Sequence, residues 1–424
     1  MLKDEPRWFK KRGYLHFDAP IGVKRATKLV KSPQAVSQHA FYPLLRYEVI
    51  SKKLKRDPVG KLKVESKSRP ISYASHTDSQ IYSYYANSLA ELYENKLTTL
   101  GLSECVLAFR KLGKSNIEFA RDAFVEISNQ GRCSAIALDI SNFFNTLDHQ
   151  HLKNSWCSVL DQEKLPHDHY AIFKSLTRFS FCLRSDVYKA FEISQNNPWH
   201  GRRQICDAEQ FRSVVRKSGL IMTNQEDRGI PQGTPISALL SNIYMINFDQ
   251  KMLALAKAYG GSYRRYCDDM LFIVKRSYAS VIETDAIREL SDLGVTINPN
   301  KTEVRHFWRY AGTQRATAPL QYLGFIFDGQ RILLRSAALA KFSGRMNKAI
   351  RLVTRTLSAQ LKENESASLR KKKLYEQYSH LGHRNFIRYG LRAAETLGSK
   401  AIRRQIKPLW GRLNSKLDKL VNDD

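Results

Sequence analysis

Asp268 and Asp269 stand side by side in RYCDDMLFIV, directly before a run of apolar and β-branched residues, and no other feature restricts the fold so tightly. Ionised carboxylates at the mouth of a core strand are costly unless solvent or a cation reaches them. Alone, the pair reads as a solvated hairpin turn, because Asp is a common turn former. A second segment changes the weighing. The run CSAIAL, residues 133–138, has the length of a buried strand and delivers Asp139 at its end, in ALDISNFFNTLD. A strand end is a rigid place to fix a metal-binding carboxylate. If the two segments are neighbouring strands, Asp139 and Asp268 converge and can bridge two divalent cations ~4 Å apart. Mg²⁺ suits such a site, because it takes carboxylate and phosphate oxygens.

Charge says what the carboxylates face. The chain has 424 residues, 42% of them hydrophobic, which is enough for a sizeable core and for two or three structural regions. Its net charge of +29 is unevenly spread: residues 1–70 carry +12, residues 331–424 carry +15, and the 260 between them carry only +2. Two basic flanks around a nearly neutral centre suit a cleft that grips a phosphate backbone on either side of a metal site. The N-terminus lacks the apolar core of a signal peptide and no run of eighteen apolar residues occurs, so no membrane role and a cytoplasmic location are expected. The six cysteines are widely spaced with no C-x-x-C pair, which argues against a zinc knuckle or a disulfide framework.

Hydrophobic periodicity places these motifs on elements. DSQIYSYYANSLAELYENKL (78–97) predicts an amphipathic helix with Ile81, Tyr85, Leu89, Leu92 and Leu97 on one face. Residues 148–228 have no clear period and read as an elaboration between two core elements. GIPQGTPIS is a turn-rich loop, and a long helical pattern follows it until Tyr259-Gly260-Gly261. SYRRYCDDMLFIVKRS predicts a β-hairpin with the Asp pair at its turn. A helix over about 278–293, a second hairpin in QYLGFIFDGQRILL and basic helices from about 336 complete the pattern. His149 and His151, in LDHQHL, have a metal-like spacing, but no Cys or second His pair completes a site, which leaves capping or surface roles.

In order, KSRPIS, LAFRKLGKSN, LDISNFF, GIPQGTPISALLSNIY, YCDD, GVTINPNKTEV and QYLGFIF resemble the successive fingers and palm motifs of reverse transcriptases. The wording of GIPQGTPISA and the long insert before it are similar to bacterial defence-associated reverse transcriptases of the unknown groups, relatives of retron and group II intron enzymes, and among them to the type 2 class. The resemblance implies an α+β right-hand polymerase with an antiparallel-sheet palm, mostly helical fingers and a basic helical thumb. The expected boundaries are fingers at 1–132, palm at 133–330 with an insertion at about 150–228, and thumb at 331–424. Asp139, Asp268 and Asp269 would be the catalytic, metal-holding carboxylates. Phe144, five residues after Asp139, would pack beneath the incoming sugar and exclude a 2′-hydroxyl; otherwise it is a core ring beside Phe143. Gln232 and Gly233 would meet the nucleotide, unless they form a plain turn. Lys67, Arg69 and Arg110 would hold triphosphate or template, and Lys301 would orient the triphosphate or protonate pyrophosphate. The alternative for each of these cations is a solvated surface charge.

Tyr322, Leu323 and Gly324 match the primer grip. The run Arg370, Lys371, Lys372 and Lys373 is a candidate phosphate contact on the thumb, whereas Trp410, Tyr375, Tyr378 and Tyr389 read as core. The implied partners are dNTPs, a non-coding RNA template and the RNA/DNA hybrid, and the implied role is antiviral defence. Two rival readings stay open: a maturase-like RNA-binding protein whose palm is only a scaffold, and a template-independent nucleotidyltransferase. Phe144 speaks against an RNA polymerase.

Overall fold

A computed structural model describes residues 5–56, 60–363 and 371–422. Near the N-terminus, β1 (Leu44–Arg56) and β2 (Leu62–Tyr73) pair antiparallel as a long hairpin. β3 (Cys133–Asp139) lies in a different sheet. β4 (Ser180–Leu183) and β5 (Met222–Thr223) return to the first one, in the order β2-β1-β4-β5, with β4 parallel to β1. β6 (Ser262–Tyr266), β7 (Asp269–Val274), β8 (Glu303–Tyr310) and β9 (Thr313–Ala316) join β3 in an antiparallel palm sheet of order β6-β7-β3-β8-β9. β10 (Leu320–Tyr322), β11 (Phe325–Phe327) and β12 (Ile332–Leu334) form a meander where a single hairpin was expected.

The apolar run at β3 is continuous because both faces of the palm sheet are covered. Ile136 and Leu138, with Met270, Phe272 and Val274 of β7, face a core shared with helices His76–Thr99, Ser237–Tyr244, Ile246–Ala258 and Ala279–Asp292. Cys133, Ala135 and Ala137, with Leu271 and Ile273, face the other way. There they meet helix Asn116–Gln130, the β10–β12 meander and the C-terminal helices. Strand period two therefore sorts neighbouring residues into two separate cores.

Helix His76–Thr99 starts where Ser75 Oγ accepts from the amide of Asp78 at 3.1 Å and the Asp18 carboxylate accepts from His76 and Thr77 at 2.8 Å each. Its buried stripe is Ile81, Tyr85, Leu89, Tyr93 and Leu97, a strict four-residue step. Leu92, expected on that face, is 39% exposed and yields its place to Tyr93.

The insertion at 150–228 is divided between lobes. Cys182, Val187, Tyr188, Ile193, Ile205, Cys206, Phe211 and Val215 build a third small core with Leu15, Phe17 and Leu45 from the N-terminal segment. The N-terminal lobe thus combines its helices with a four-stranded sheet that the insertion helps to make. Residue 132 falls just before β3, while residue 330 falls in the turn between β11 and β12, so the meander joins the palm to helices Ser336–Glu363, Lys371–Tyr378, Phe386–Thr396 and Lys400–Asn422. The six cysteines are buried and unpaired. Among the described residues no helix is long and apolar enough to cross a membrane.

Candidate active site

β3 ends on Asp139, and the register places it directly opposite Asp269, the first residue of β7. The turn joining β6 to β7 has only two central residues, Cys267 and Asp268, since Tyr266 pairs with Asp269. The expected turn therefore holds one aspartate of the pair, and the other opens the strand. Cys267 takes φ 59°, the positive value a tight two-residue hairpin needs at its first central position. The Ile140 amide donates to Asp268 O at 3.2 Å, which ties the turn to the end of β3.

These carboxylates lie in a cleft of about 580 Å³ lined also by Lys67, Arg69, Phe144, Gln232, Gly233 and Lys301. Segments separated by more than two hundred residues thus meet around one cavity. Phe143 is the core ring at 3% exposure; Phe144, half-buried, lies 5.8 Å from it between centroids. Gly233 has a structural reason of its own. Its φ is 119°, and a Cβ there would lie 2.7 Å from the carbonyl oxygen of Ser72. The close approach is to β2, whose Ser72 amide donates to Gln232 O at 2.8 Å. That hydrogen bond fastens the GIPQG loop to the end of β2, the strand that carries Lys67 and Arg69.

Arg110 is not in the cleft, and this corrects its assignment to triphosphate or template. Its guanidinium makes a two-pronged pair with Glu94 (2.9 and 2.6 Å) and donates to the carbonyls of Ser103 and Val106 (2.5 Å each). Its side chain is 3% exposed. The preceding residue, Phe109, sits at φ 62° and lines the cleft instead. The left-handed turn exchanges which neighbour faces inward.

Tyr322 ends β10 and pairs with Phe325, so Leu323 and Gly324 are the two central residues of a tight turn, both at positive φ (45° and 94°). Asn116 Nδ2 donates to Leu323 O and to the Tyr389 hydroxyl, each at 2.9 Å. Of the basic run on the C-terminal lobe, Arg370 lies outside the described residues; Lys372 and Lys373 are exposed and Lys371 is half-buried. His149 and His151 turn their Nε2 atoms to the carbonyls of Gly229 (2.8 Å) and Tyr244 (3.0 Å), while Asp148 caps the helix.

The electrostatics of the cleft favour a bound cation. Burial, then Asp268, then Asp139 push the Asp269 carboxyl up to about 7, against the pull of Lys301 and Arg335. Of the three carboxyls, Asp269 is the one left under-compensated. Among the described residues no group of three or more His, Cys, Asp or Glu stands as a ready metal cage; the Lys301 ammonium sits 2.6 Å from both oxygens of Asp139. A positive charge thus already stands where a cation would neutralise Asp139. An all-oxygen carboxylate set is the donor chemistry that hard divalent ions take.

Sequence reasoning missed two contributors. Arg335, where β12 meets the next helix, lines the cleft, but nothing in its local sequence separates it from the other basic residues of that flank. Behind the turn, Arg265 is fully buried and grips Asp249 at 2.7 and 2.6 Å. Its Nη1 donates to Asn242 Oδ1 (3.0 Å) and to Cys267 O (3.1 Å), the carbonyl of the turn itself. Burial opposes the Arg265 charge, but Asp249 raises its pKa above the ordinary value. The signal was present: an Arg two residues before the turn and an Asp in the helical pattern after GIPQG.

A carboxylate-tipped palm sheet, a hairpin with basic residues reaching over it and a helical C-terminal lobe define a right-hand nucleic-acid polymerase. The chain belongs to the reverse transcriptase (RNA-dependent DNA polymerase) family, whose model matches residues 54–327. It is similar to the retron Mx65 reverse transcriptase of Myxococcus xanthus, 34% identical over 87 residues that make up 20% of each chain. The retron Mx162 reverse transcriptase of the same organism is 28% identical over 112 residues, 24% of this chain and 23% of the relative. The alignments thus span about a fifth of these relatives' length. A structure of apo telomerase from Candida tropicalis gives a TM-score of 0.43 at 13% identity, covering 88% of this chain and 60% of that one.

Proposed function

We propose that this chain is an RNA-directed DNA polymerase that copies a dedicated non-coding RNA into cDNA and acts in antiviral, anti-phage defence in the cytoplasm. The observation that carries the reading is the convergence of Asp139, Asp268 and Asp269 with Lys67, Arg69, Lys301 and Arg335 around one cleft. Asp139 and Asp268, with Asp269 beside them, would hold two Mg²⁺ ions, which when bound supply Lewis-acid stabilisation of the attacking primer hydroxyl and the departing pyrophosphate.

The protein's own groups do the rest. Lys67 and Arg69 reach from β2 towards the triphosphate oxygens, the guanidinium able to take two at once. Lys301, exchanging Asp139 for substrate, orients the triphosphate or gives a proton to pyrophosphate. Phe144 closes the space where a 2′-hydroxyl would stand, and Gln232 meets the incoming nucleotide. The Leu323–Gly324 turn, held by Asn116, supports the primer end. The basic C-terminal helices accept the RNA/DNA hybrid. Six buried, unpaired cysteines suit a reducing compartment. The resemblance of GIPQGTPISA and the insert before it to defence-associated reverse transcriptases supports the defence role and the non-coding template.

Purified protein given an RNA template, a DNA primer, Mg²⁺ and dNTPs should extend the primer, and the RNA that co-purifies with it should be dominated by one non-coding species. Absence of extension by the parent protein refutes the polymerase reading. A random population of cellular RNA refutes the dedicated template.

A further inference from the structure

At the end of β3 opposite to Asp139 lies a second groove, of about 760 Å³, lined by Asn129, Gln130, Arg132, Arg276, Trp308 and Arg309. Among the described residues no carboxylate lines it. β3 has seven residues, so at ~3.3 Å per residue the groove lies about 20 Å from the carboxylates of the cleft. Arg132, Arg276 and Arg309 are exposed, and among the described residues none of the three pairs with an acid. The last carboxylate on helix Asn116–Gln130, Glu126, pairs with Arg264. Burial and then Arg276 hold His306 below the ordinary histidine range, so the guanidinium's field reaches into the sheet.

The groove therefore keeps three arginines without an acid partner among the described residues beside Trp308, with Arg309 donating to Ser128 O at 3.1 Å. Trp308 is half-buried and forms its wall, not a protruding apolar tip. Across the strand pair it lies opposite Arg315, whose guanidinium lies 5.5 Å from the Tyr310 ring centroid. Guanidinium groups for phosphates, an indole for a base and the side-chain amide of Asn129 for base edges are what single-stranded RNA requires, while the Gln130 amide donates to Glu126 at 3.2 Å. An anionic lipid surface would call for apolar groups projecting outward, and an acidic peptide has no use for the indole wall.

We propose that this groove binds a single-stranded segment of RNA outside the polymerase cleft, anchoring it on the palm while another part occupies the active site. The inference rests on RNA being this chain's partner and is independent of the carboxylates' chemistry. Binding of an oligouridine RNA, measured across salt concentrations with the cleft filled by a short RNA/DNA hybrid, tests it. Arg132→Glu with Arg276→Glu should lower the slope of log affinity against log salt by about 1.4, two phosphates at ~0.7 each. Trp308→Ala should weaken binding roughly tenfold at unchanged slope. Primer extension on the short hybrid should stay at the parent level in both. Both arginines are exposed, so their double variant decides the question even where Trp308→Ala fails to fold. Parent-like affinity and slope in the double variant overturns the proposal, as does a poly-glutamate peptide that displaces the oligouridine at equal concentration. A parent protein that binds oligouridine in this groove yet extends no primer refutes the polymerase reading and leaves this one standing.

Discussion

Asp249→Ala removes the carboxylate that Arg265 grips from inside the core. Both side chains are fully buried, and the same carboxylate accepts from the Tyr263 hydroxyl at 2.7 Å. The variant leaves a buried guanidinium without its counter-charge, a change that costs about 3 to 5 kcal/mol. It also strands the Tyr263 hydroxyl, worth about 1 to 3 kcal/mol more. The sum approaches the whole stability of many domains, ~5 to 15 kcal/mol. Replacing both partners, Asp249→Leu with Arg265→Met, removes the unpaired charge and should recover most of the loss. The double variant does remove the bond from Arg265 to Cys267 O, so primer extension should be depressed even where stability returns. Denaturant midpoints, read beside amide exchange of the β6–β7 hairpin, separate the two effects. A single variant costing less than about 1 kcal/mol, or a double variant no more stable than the single, would contradict the buried-pair argument.

Phe144→Ala should raise rNTP use relative to dNTP in competition assays; because the ring is only partly buried, its folding cost should fall below the ~3 to 5 kcal/mol of a fully buried phenylalanine. His16 is fully buried, and burial lowers its pKa to about 3, so below pH 6.5 the unfolded chain takes up a proton that the folded one refuses. Stability should therefore fall by about 1.4 kcal/mol for each pH unit between 6.5 and 3. His16→Phe should flatten that decline by about 2 kcal/mol at pH 5 in urea titrations, and an unchanged pH profile would refute the assignment. Charge reversal of the exposed Lys372 and Lys373 should lower the salt slope of hybrid binding by about 0.7 to 0.9 for each phosphate no longer neutralised; an unchanged slope would make the run a solvated helix face.

What the sequence announced and what it hid divide along physical lines. β3 was legible because a strand covered on both faces is apolar throughout, and the Asp at its end stands out against that run. The β6–β7 hairpin was legible because a two-residue turn leaves a sharp break between strands. The pairing of β1 with β4 was not, since it joins residues 44–46 to 181–183 in parallel through short segments with no alternation of their own. Arg110 and Phe109 are adjacent, and which of them enters the cleft is set by the left-handed φ at Phe109 together with the bonds that hold Arg110 to Glu94, neither of which a local pattern encodes. Arg335 reaches the cleft through the meander's geometry, which no local pattern encodes. Leu92 and Tyr93 fit a helical stripe about equally on paper, and packing against the core chose Tyr93.

If the carboxylates brought together by β3 and the β6–β7 turn carry nucleotide transfer while the basic flanks carry RNA, the two functions should separate by mutation. Single-turnover dNTP incorporation on an RNA template, measured beside RNA affinity for the parent and for Asp268→Ala with Asp269→Ala, tests both halves at once. Incorporation should vanish in the double variant and RNA affinity should stay near the parent value. A double variant that incorporates dNTPs at the parent rate, or that loses RNA binding along with activity, would contradict this division of labour.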